Sequence, residues 1–275
     1  MTDLQAIILA LVQGITELFP ISSLGHAVVL PAILGWKIDE SAPGFLPFLV
    51  VMHLGTALAL ILYFWRDWWT FAAAVLVRRG RKAQLERRVF WRVVVATIPA
   101  VIVGFLFEKP LRHGFGAPVL AAGFLIVNGV MLFAAERLKR AGRSRGLAQM
   151  RWRDAVVVGL CQCLALIPGF SRSGATMVGG YLSGLDHEDA ARFSFLTATP
   201  IILGAGVLEA PKLIRYHDSF SAVAITAGLV AGVVAFASVA ILMRWFRQSQ
   251  ARGFEPFAIY CALAGAGALA WLLLR

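Results

Sequence analysis

Two short polar islands interrupt an otherwise oily chain, and both carry side chains able to handle a phosphate. The first runs Glu17-Leu-Phe-Pro-Ile-Ser-Ser-Leu-Gly-His26, with Gln13 four residues ahead of Glu17. On a helix, Gln13 and Glu17 share a face. Pro20 ends that helix, and Ser22 or Ser23 can cap the next one. Ser23 and His26, three apart, then share its first turn. A carboxylate, hydroxyls and an imidazole thus gather at a helix N-terminus, which attracts anions. The second island is Pro168-Gly-Phe-Ser-Arg-Ser-Gly-Ala-Thr176. Gly174 allows close backbone approach, while Ser171, Ser173 and Thr176 flank the planar fork of Arg172, a shape suited to phosphate oxygens.

Each of these residues has a plain structural use. The serines can be caps, His26 can bond a backbone carbonyl, and Arg172 can pair with Glu17. Together they point further, because ionisable side chains inside a membrane are functional by default. An arginine at mid-bilayer costs roughly 2.5–3.5 kcal/mol on insertion scales, a cost that an anionic ligand offsets. An ion pair with Glu17 is compatible with this if it forms in the empty site.

The elements that position the islands follow from an internal match at an offset of 149 residues. Gln13 falls on Gln162, Ser22 on Ser171, Gly25 on Gly174, Gly35 on Gly184 and Leu54-Gly55 on Leu203-Gly204. Six apolar runs are long enough to span a bilayer, near 45–65, 90–107, 117–136, 190–210, 220–243 and 256–274. Four shorter runs, 4–19, 25–36, 154–167 and 174–185, form two pairs, each broken by one island. Backbone at such a break must be buried in protein or line a wet cavity, so each pair reads as a re-entrant hairpin.

The expected fold is one all-α polytopic membrane domain over residues 1–275. Residues 1–136 and 154–274 form an inverted-topology repeat, each half a hairpin plus three spanning helices. Composition agrees: 59% of residues are hydrophobic and only 15% charged, against about 25% charged in a soluble domain. The net charge of +11 does not point to nucleic acid. Of 26 lysines and arginines, 18 fall in three short breaks, 66–92, 137–153 and 244–252. Two crossings separate each break from the next, so all three share the cytoplasmic face. The first hairpin then enters from outside and the second from inside, with the short loops 108–116 and 211–219 outward.

Weaker candidates take quieter readings. His53 could look towards the site, but a core histidine satisfied by its surroundings is the simpler reading. His113, His187 and His217 fall at expected loops, where they would be solvated. Glu209 and Lys212 read as a surface pair, and Asn128 as a helix–helix hydrogen bond. Cys161, Cys163 and Cys261 read as small core residues, and Trp65, Trp68 and Trp69 as interfacial anchors.

At these residues the chain resembles the undecaprenyl-diphosphate phosphatase family of bacteria, the bacitracin-resistance type. The resemblance rests on a Glu-or-Gln-x-x-x-Glu element at Gln13 to Glu17, a Pro-x-Ser-Ser-x-Gly-His run at Pro20 to His26, and Pro-Gly-x-Ser-Arg-Ser-Gly-x-Thr at Pro168 to Thr176. It extends to Phe193-Ser-Phe-Leu196 with Pro200, and to Pro256-Phe-Ala-Ile-Tyr260. It implies hydrolysis of the C55 prenyl diphosphate to the monophosphate carrier used in cell-wall synthesis, and bacitracin tolerance on overexpression. It further implies residence in the bacterial inner membrane, a site open to the periplasm, homodimer formation, and a magnesium or calcium ion at Glu17 and Gln13. Gln13 stands where many members carry a second glutamate, which weakens the ion's expected hold.

For such a reaction the protein's task is positioning and charge neutralisation. Arg172 would clamp the diphosphate with help from Ser22, Ser171, Ser173, Gly174 and Thr176. Ser23 is the preferred nucleophile, activated by His26 or Glu17; the rival assignment makes His26 the nucleophile, oriented by Glu17. Broken helices around a midplane site also suit a transporter or flippase of prenyl phosphate lipid, although a carrier has no use for a Ser/His pair beside a clamp. A serine intramembrane protease leaves Arg172 and its hydroxyls unexplained.

Overall fold

The computed structural model describes residues 1–36, 38, 45–107, 117–138, 145–215, 222–249 and 252–274, with the side chains of 46 and 209–215 outside that description. His113, His217, the loop 108–116 and the side chains of Glu209 and Lys212 therefore lie outside the described residues. Within them the chain is all-helical and forms no strand.

Both islands break pairs of short helices. Helix α1 (Asp3–Thr16) starts on a capping box in which Thr2 and Gln5 bond each other's backbone, and its last turn dies at Pro20. Helix α2 (Ser23–Ile33) resumes after Ser22. The chain continues through α3 (Phe45–Tyr63), α4 (Trp65–Leu76), α5 (Arg81–Leu106) and α6 (Pro118–Leu138). The second pair is α7 (Trp152–Gln162), extended by a 3-10 turn over Cys163–Leu166, and α8 (Arg172–Leu182). Three long helices follow: α9 (His187–Arg215), α10 (Ala222–Gln248) and α11 (Glu255–Leu274).

Among the described residues five helices, α5, α6, α9, α10 and α11, are long and apolar enough to cross a membrane, and the bent pair α3–α4 makes a sixth when counted as one broken span. The chain is a multi-pass membrane protein. Two expectations need correction. The basic break after residue 65 is not all loop, since α4 turns away from α3 by 73°. It exposes Trp65, Trp69 and Leu76 beside Arg66, as an interfacial amphipathic helix does. The stretch 211–219 is not all loop either, because α9 runs on to Arg215.

Packing is reciprocal between the halves. Helix α1 lies on α10 as α7 lies on α5, and α3 lies on α10 as α9 lies on α5, with α6 against α11. At the α3–α10 crossing Gly55 lets two backbones meet: a Cβ there would stand 2.0 Å from the Gly228 carbonyl oxygen. Small residues permit such approach between membrane helices. Gly35 and Gly184, matched in sequence, both take positive φ (65° and 101°) just beyond α2 and α8, the left-handed stop that glycine adopts without strain.

Candidate active site

The two breaks meet tip to tip. Ser22 Oγ donates to the Phe170 carbonyl (3.1 Å) and accepts from Gly25 N (3.2 Å). Its counterpart Ser171 accepts from Gly174 N (3.1 Å), while Ser173 Oγ donates to the Phe19 carbonyl (3.0 Å). Asn128 of α6 ties both breaks together: its Nδ2 donates to the Pro20 carbonyl (2.9 Å), and its Oδ1 accepts from Ser171 N (3.1 Å). Asn128 is fully buried. Backbone that would be unsatisfied in hydrocarbon is thus paired across the two halves. Ser22 sits at φ 70°, a conformation costing a residue with Cβ about 1–3 kcal/mol, offset by the bonds its side chain makes.

Glu17 lies beside this junction, where residues of both breaks reach it. It is 7% exposed, so its two oxygens must be satisfied by protein. Oε1 accepts from Arg172 Nη2 at 2.9 Å. Oε2 accepts from Ser23 Oγ at 2.6 Å and from Gln13 Nε2 at 3.1 Å, and His53 Nε2 lies 3.4 Å from it. The other terminal nitrogen of Arg172, Nη1, is buried without a hydrogen-bond partner. A guanidinium with one arm on a carboxylate and one arm free is poised to take an anion.

Several expectations change here. Ser23 and His26 do not bond each other: Ser23 turns to Glu17, while His26 Nδ1 meets the Ser22 carbonyl (2.7 Å) and Nε2 meets the Tyr260 hydroxyl (2.7 Å). Three-residue spacing puts both on one turn but leaves the rotamers to their surroundings. Ser22, Ser171, Ser173 and Thr176, expected as phosphate ligands, are almost fully buried and act as braces. Thr176 Oγ1 bonds the carbonyls of Arg172 (2.8 Å) and Ser173 (3.1 Å) and the hydroxyl of Ser194 (2.5 Å). Gly174 N is taken by the Ser171 cap. Of the island hydroxyls, Ser23 alone bonds Glu17.

His53 is not merely a core histidine. One ring nitrogen bonds the Leu49 carbonyl (2.8 Å), as a core residue would, but the other faces Glu17. His187 is not solvated: it is 3% exposed, bonds Glu136 (2.5 Å) and is packed among Tyr181, Phe246 and Phe254. Asn128 is the interhelical hydrogen bond expected of it. Cys261 is buried, and Cys161 and Cys163 are half-buried.

The residues at hand do not fit a resident magnesium or calcium ion. Hard cations take several oxygen ligands, yet among the described residues Glu17 is the one carboxylate at this junction and both its oxygens face donors. Gln13 turns its amide nitrogen, not its oxygen, towards Glu17. Among the described residues no three His, Cys, Asp or Glu side chains group as metal ligands.

A family model described as bacitracin resistance protein BacA matches residues 6–267. The undecaprenyl-diphosphatase of Acidiphilium cryptum is 52% identical over 273 residues, covering 97% of this chain and 96% of that protein. Those of Granulibacter bethesdensis and Gluconobacter oxydans are 51% and 50% identical, covering 99% and 100% of this chain and 97% and 100% of their own.

Proposed function

This chain belongs to the bacitracin resistance protein BacA family, and on that premise we propose that it is an undecaprenyl-diphosphatase, a hydrolase of a phosphoric anhydride bond. One observation carries the chemistry: Glu17 holds the Ser23 hydroxyl on one oxygen at 2.6 Å and the Arg172 guanidinium on the other at 2.9 Å. Base, nucleophile and anion clamp are joined through a single carboxylate.

In the proposed reaction the free arm of Arg172 takes the terminal phosphate. Ser23 Oγ attacks its phosphorus in line while Glu17 Oε2 accepts the hydroxyl proton. The bond from that phosphorus to the bridging oxygen breaks, and the prenyl monophosphate leaves. Glu17 gives that proton to the departing monophosphate, then takes one from a water molecule whose oxygen attacks the phosphorus held on Ser23. The bond from phosphorus to Ser23 Oγ breaks, Glu17 returns the proton to Ser23 Oγ, and phosphate leaves. His26, one turn along α2, is the second proton-transfer group, and Nε2 is its reactive nitrogen. Ser22, Ser171, Ser173 and Thr176 serve the phosphate indirectly by fixing the backbone that carries Ser23 and Arg172. No step is routed through a metal ion.

The site opens to the periplasm of a bacterial inner membrane in this reading, with the basic breaks at 66–92, 137–153 and 244–252 facing the cytoplasm. The halves 1–136 and 154–274 are inverted repeats of one membrane domain, which the reciprocal helix packing supports. The prenyl tail lies among the exposed apolar side chains of the spans.

The test is phosphate release from undecaprenyl diphosphate by detergent-purified protein, with the terminal phosphate labelled and the reaction acid-quenched. Acid-stable label on Ser23, lost in Ser23→Ala, is expected. Acid-labile label on His26 would move the nucleophile there. A folded parent that releases no phosphate would refute the phosphatase reading in favour of a lipid carrier.

A further inference from the structure

We propose that Tyr260 is a positioning residue for His26, selecting its tautomer and holding its ring; the inference rests on the phosphatase reading in which His26 takes part. Nδ1 lies 2.7 Å from the Ser22 carbonyl oxygen, which can only accept, so Nδ1 carries a proton. In the neutral ring Nε2 is then the lone pair, and Tyr260 donates its hydroxyl proton to it at 2.7 Å. The two ring planes lie within 10° of parallel, with centroids 5.7 Å apart, so the phenol sits beside the imidazole edge. Bonds at opposite edges fix the orientation of the imidazole. The reactive nitrogen is Nε2 whether His26 carries a proton or attacks phosphorus.

Two further observations set Tyr260 apart from an ordinary membrane tyrosine. It is 43% exposed, on a face of α11 that also exposes Ile259 and Leu263. A phenol there would ordinarily send its hydroxyl towards the wet interface, yet this one turns inward to His26. Its neighbour Cys261 is buried, with Sγ 3.3 Å from Asn128 Nδ2, the side chain that ties the two breaks. Helix α11 is therefore registered on the site's own backbone one residue from Tyr260. A tyrosine 234 residues from His26 in sequence thereby keeps a fixed address beside it.

Tyr260→Phe keeps the ring and removes only the hydroxyl. The expected result is a kcat for phosphate release lower by about ten-fold, equivalent to about 1.4 kcal/mol and within reach of one lost hydrogen bond. KM should change by less than about two-fold, since Tyr260 acts through His26 and not on the lipid. In protein labelled with 15N-histidine, and assigned with His26→Gln, the ring nitrogens of His26 should move from separated values towards those of mixed tautomers, while those of His53 stay. An unchanged kcat, or a lower kcat with unmoved His26 nitrogens, overturns the proposal. Failure of the phosphatase reading shows separately, as a parent without phosphate release, and the nitrogen spectra then decide the positioning claim alone.

Discussion

Replacing Arg172 by lysine separates its two tasks. The guanidinium divides its arms: Nη2 holds Glu17 at 2.9 Å and Nη1 is left without a partner. Lysine keeps the charge but offers one nitrogen on a flexible stem, so it can serve Glu17 or the phosphate, not both in fixed geometry. Losing one charge-assisted hydrogen bond to substrate is worth about 1.5–3 kcal/mol, or roughly 10- to 150-fold in kcat/KM. Arg172→Ala removes the clamp altogether, for which losses of about 10³–10⁵ are expected by analogy with arginines that stabilise phosphoryl transfer. It also strands the buried Glu17, and breaking a buried pair this way costs about 3–5 kcal/mol. The assay is phosphate release in detergent at varied substrate, with thermal unfolding of each variant in parallel. Arg172→Lys should unfold close to the parent and lose activity; Arg172→Ala should lose both. A lysine variant within about three-fold of the parent in kcat/KM would refute the divided-arm reasoning, because a point charge would then suffice.

Gln13→Glu places a second carboxylate one turn before Glu17 and should create a site for a divalent cation; chelator should lower this variant's activity more than the parent's, and equal sensitivity would argue against the fit deduced from Gln13 and Glu17. Asn128→Leu leaves the Ser171 N–H unpaired and the Pro20 carbonyl with only the weak Cys261 thiol donor at 3.8 Å, in a fully buried place; an unsatisfied buried group costs about 1–3 kcal/mol, so thermal unfolding should drop sharply. Gly55→Ala drives a Cβ to 2.0 Å from the Gly228 backbone, whereas a Cβ at its sequence match Gly204 meets nothing within 4 Å. The first should destabilise by about 1–3 kcal/mol or more and the second should be silent in the same melt. His187→Ala leaves Glu136, 5% exposed at its side chain, with backbone bonds from Phe254 (3.2 Å) and Arg252 but without its histidine partner, and faster proteolysis at the neighbouring breaks is expected.

Much of this architecture was legible in order along the chain. A span needs about 20 apolar residues, and each expected run has its helix, with ends displaced by a turn or two where Arg81 or Arg215 extends them. The hairpin breaks announced themselves through Pro20, Pro168 and the capping serines, because interruption and capping are local events. Likewise the match at 149 residues returned in space as paired caps at Ser22 and Ser171 and paired left-handed glycines at Gly35 and Gly184. Helix α4 was obscured because Arg66, Asp67 and its three tryptophans suit an interfacial helix as well as a loop.

Partnership was decided only by the packed fold. Spacing put Ser23 and His26 on one turn, yet which of them reached Glu17 depended on where α11 brought Tyr260 and where α3 brought His53. Those residues are isolated polar groups in apolar spans, and a helical period says which face they occupy but not which helix lies opposite. The serines and threonine of the second island illustrate the same point. Their types suit phosphate, but packing committed Ser173 to the Phe19 carbonyl of the first break, Ser171 to capping its own helix, and Thr176 to the carbonyls of its own turn and to Ser194, since backbone opened within a membrane must find its hydrogen bonds in protein. Residue type and local order thus determined which groups this chain carries and where its helices break; the meeting of the two breaks, 149 residues apart, decided which of those groups face one another.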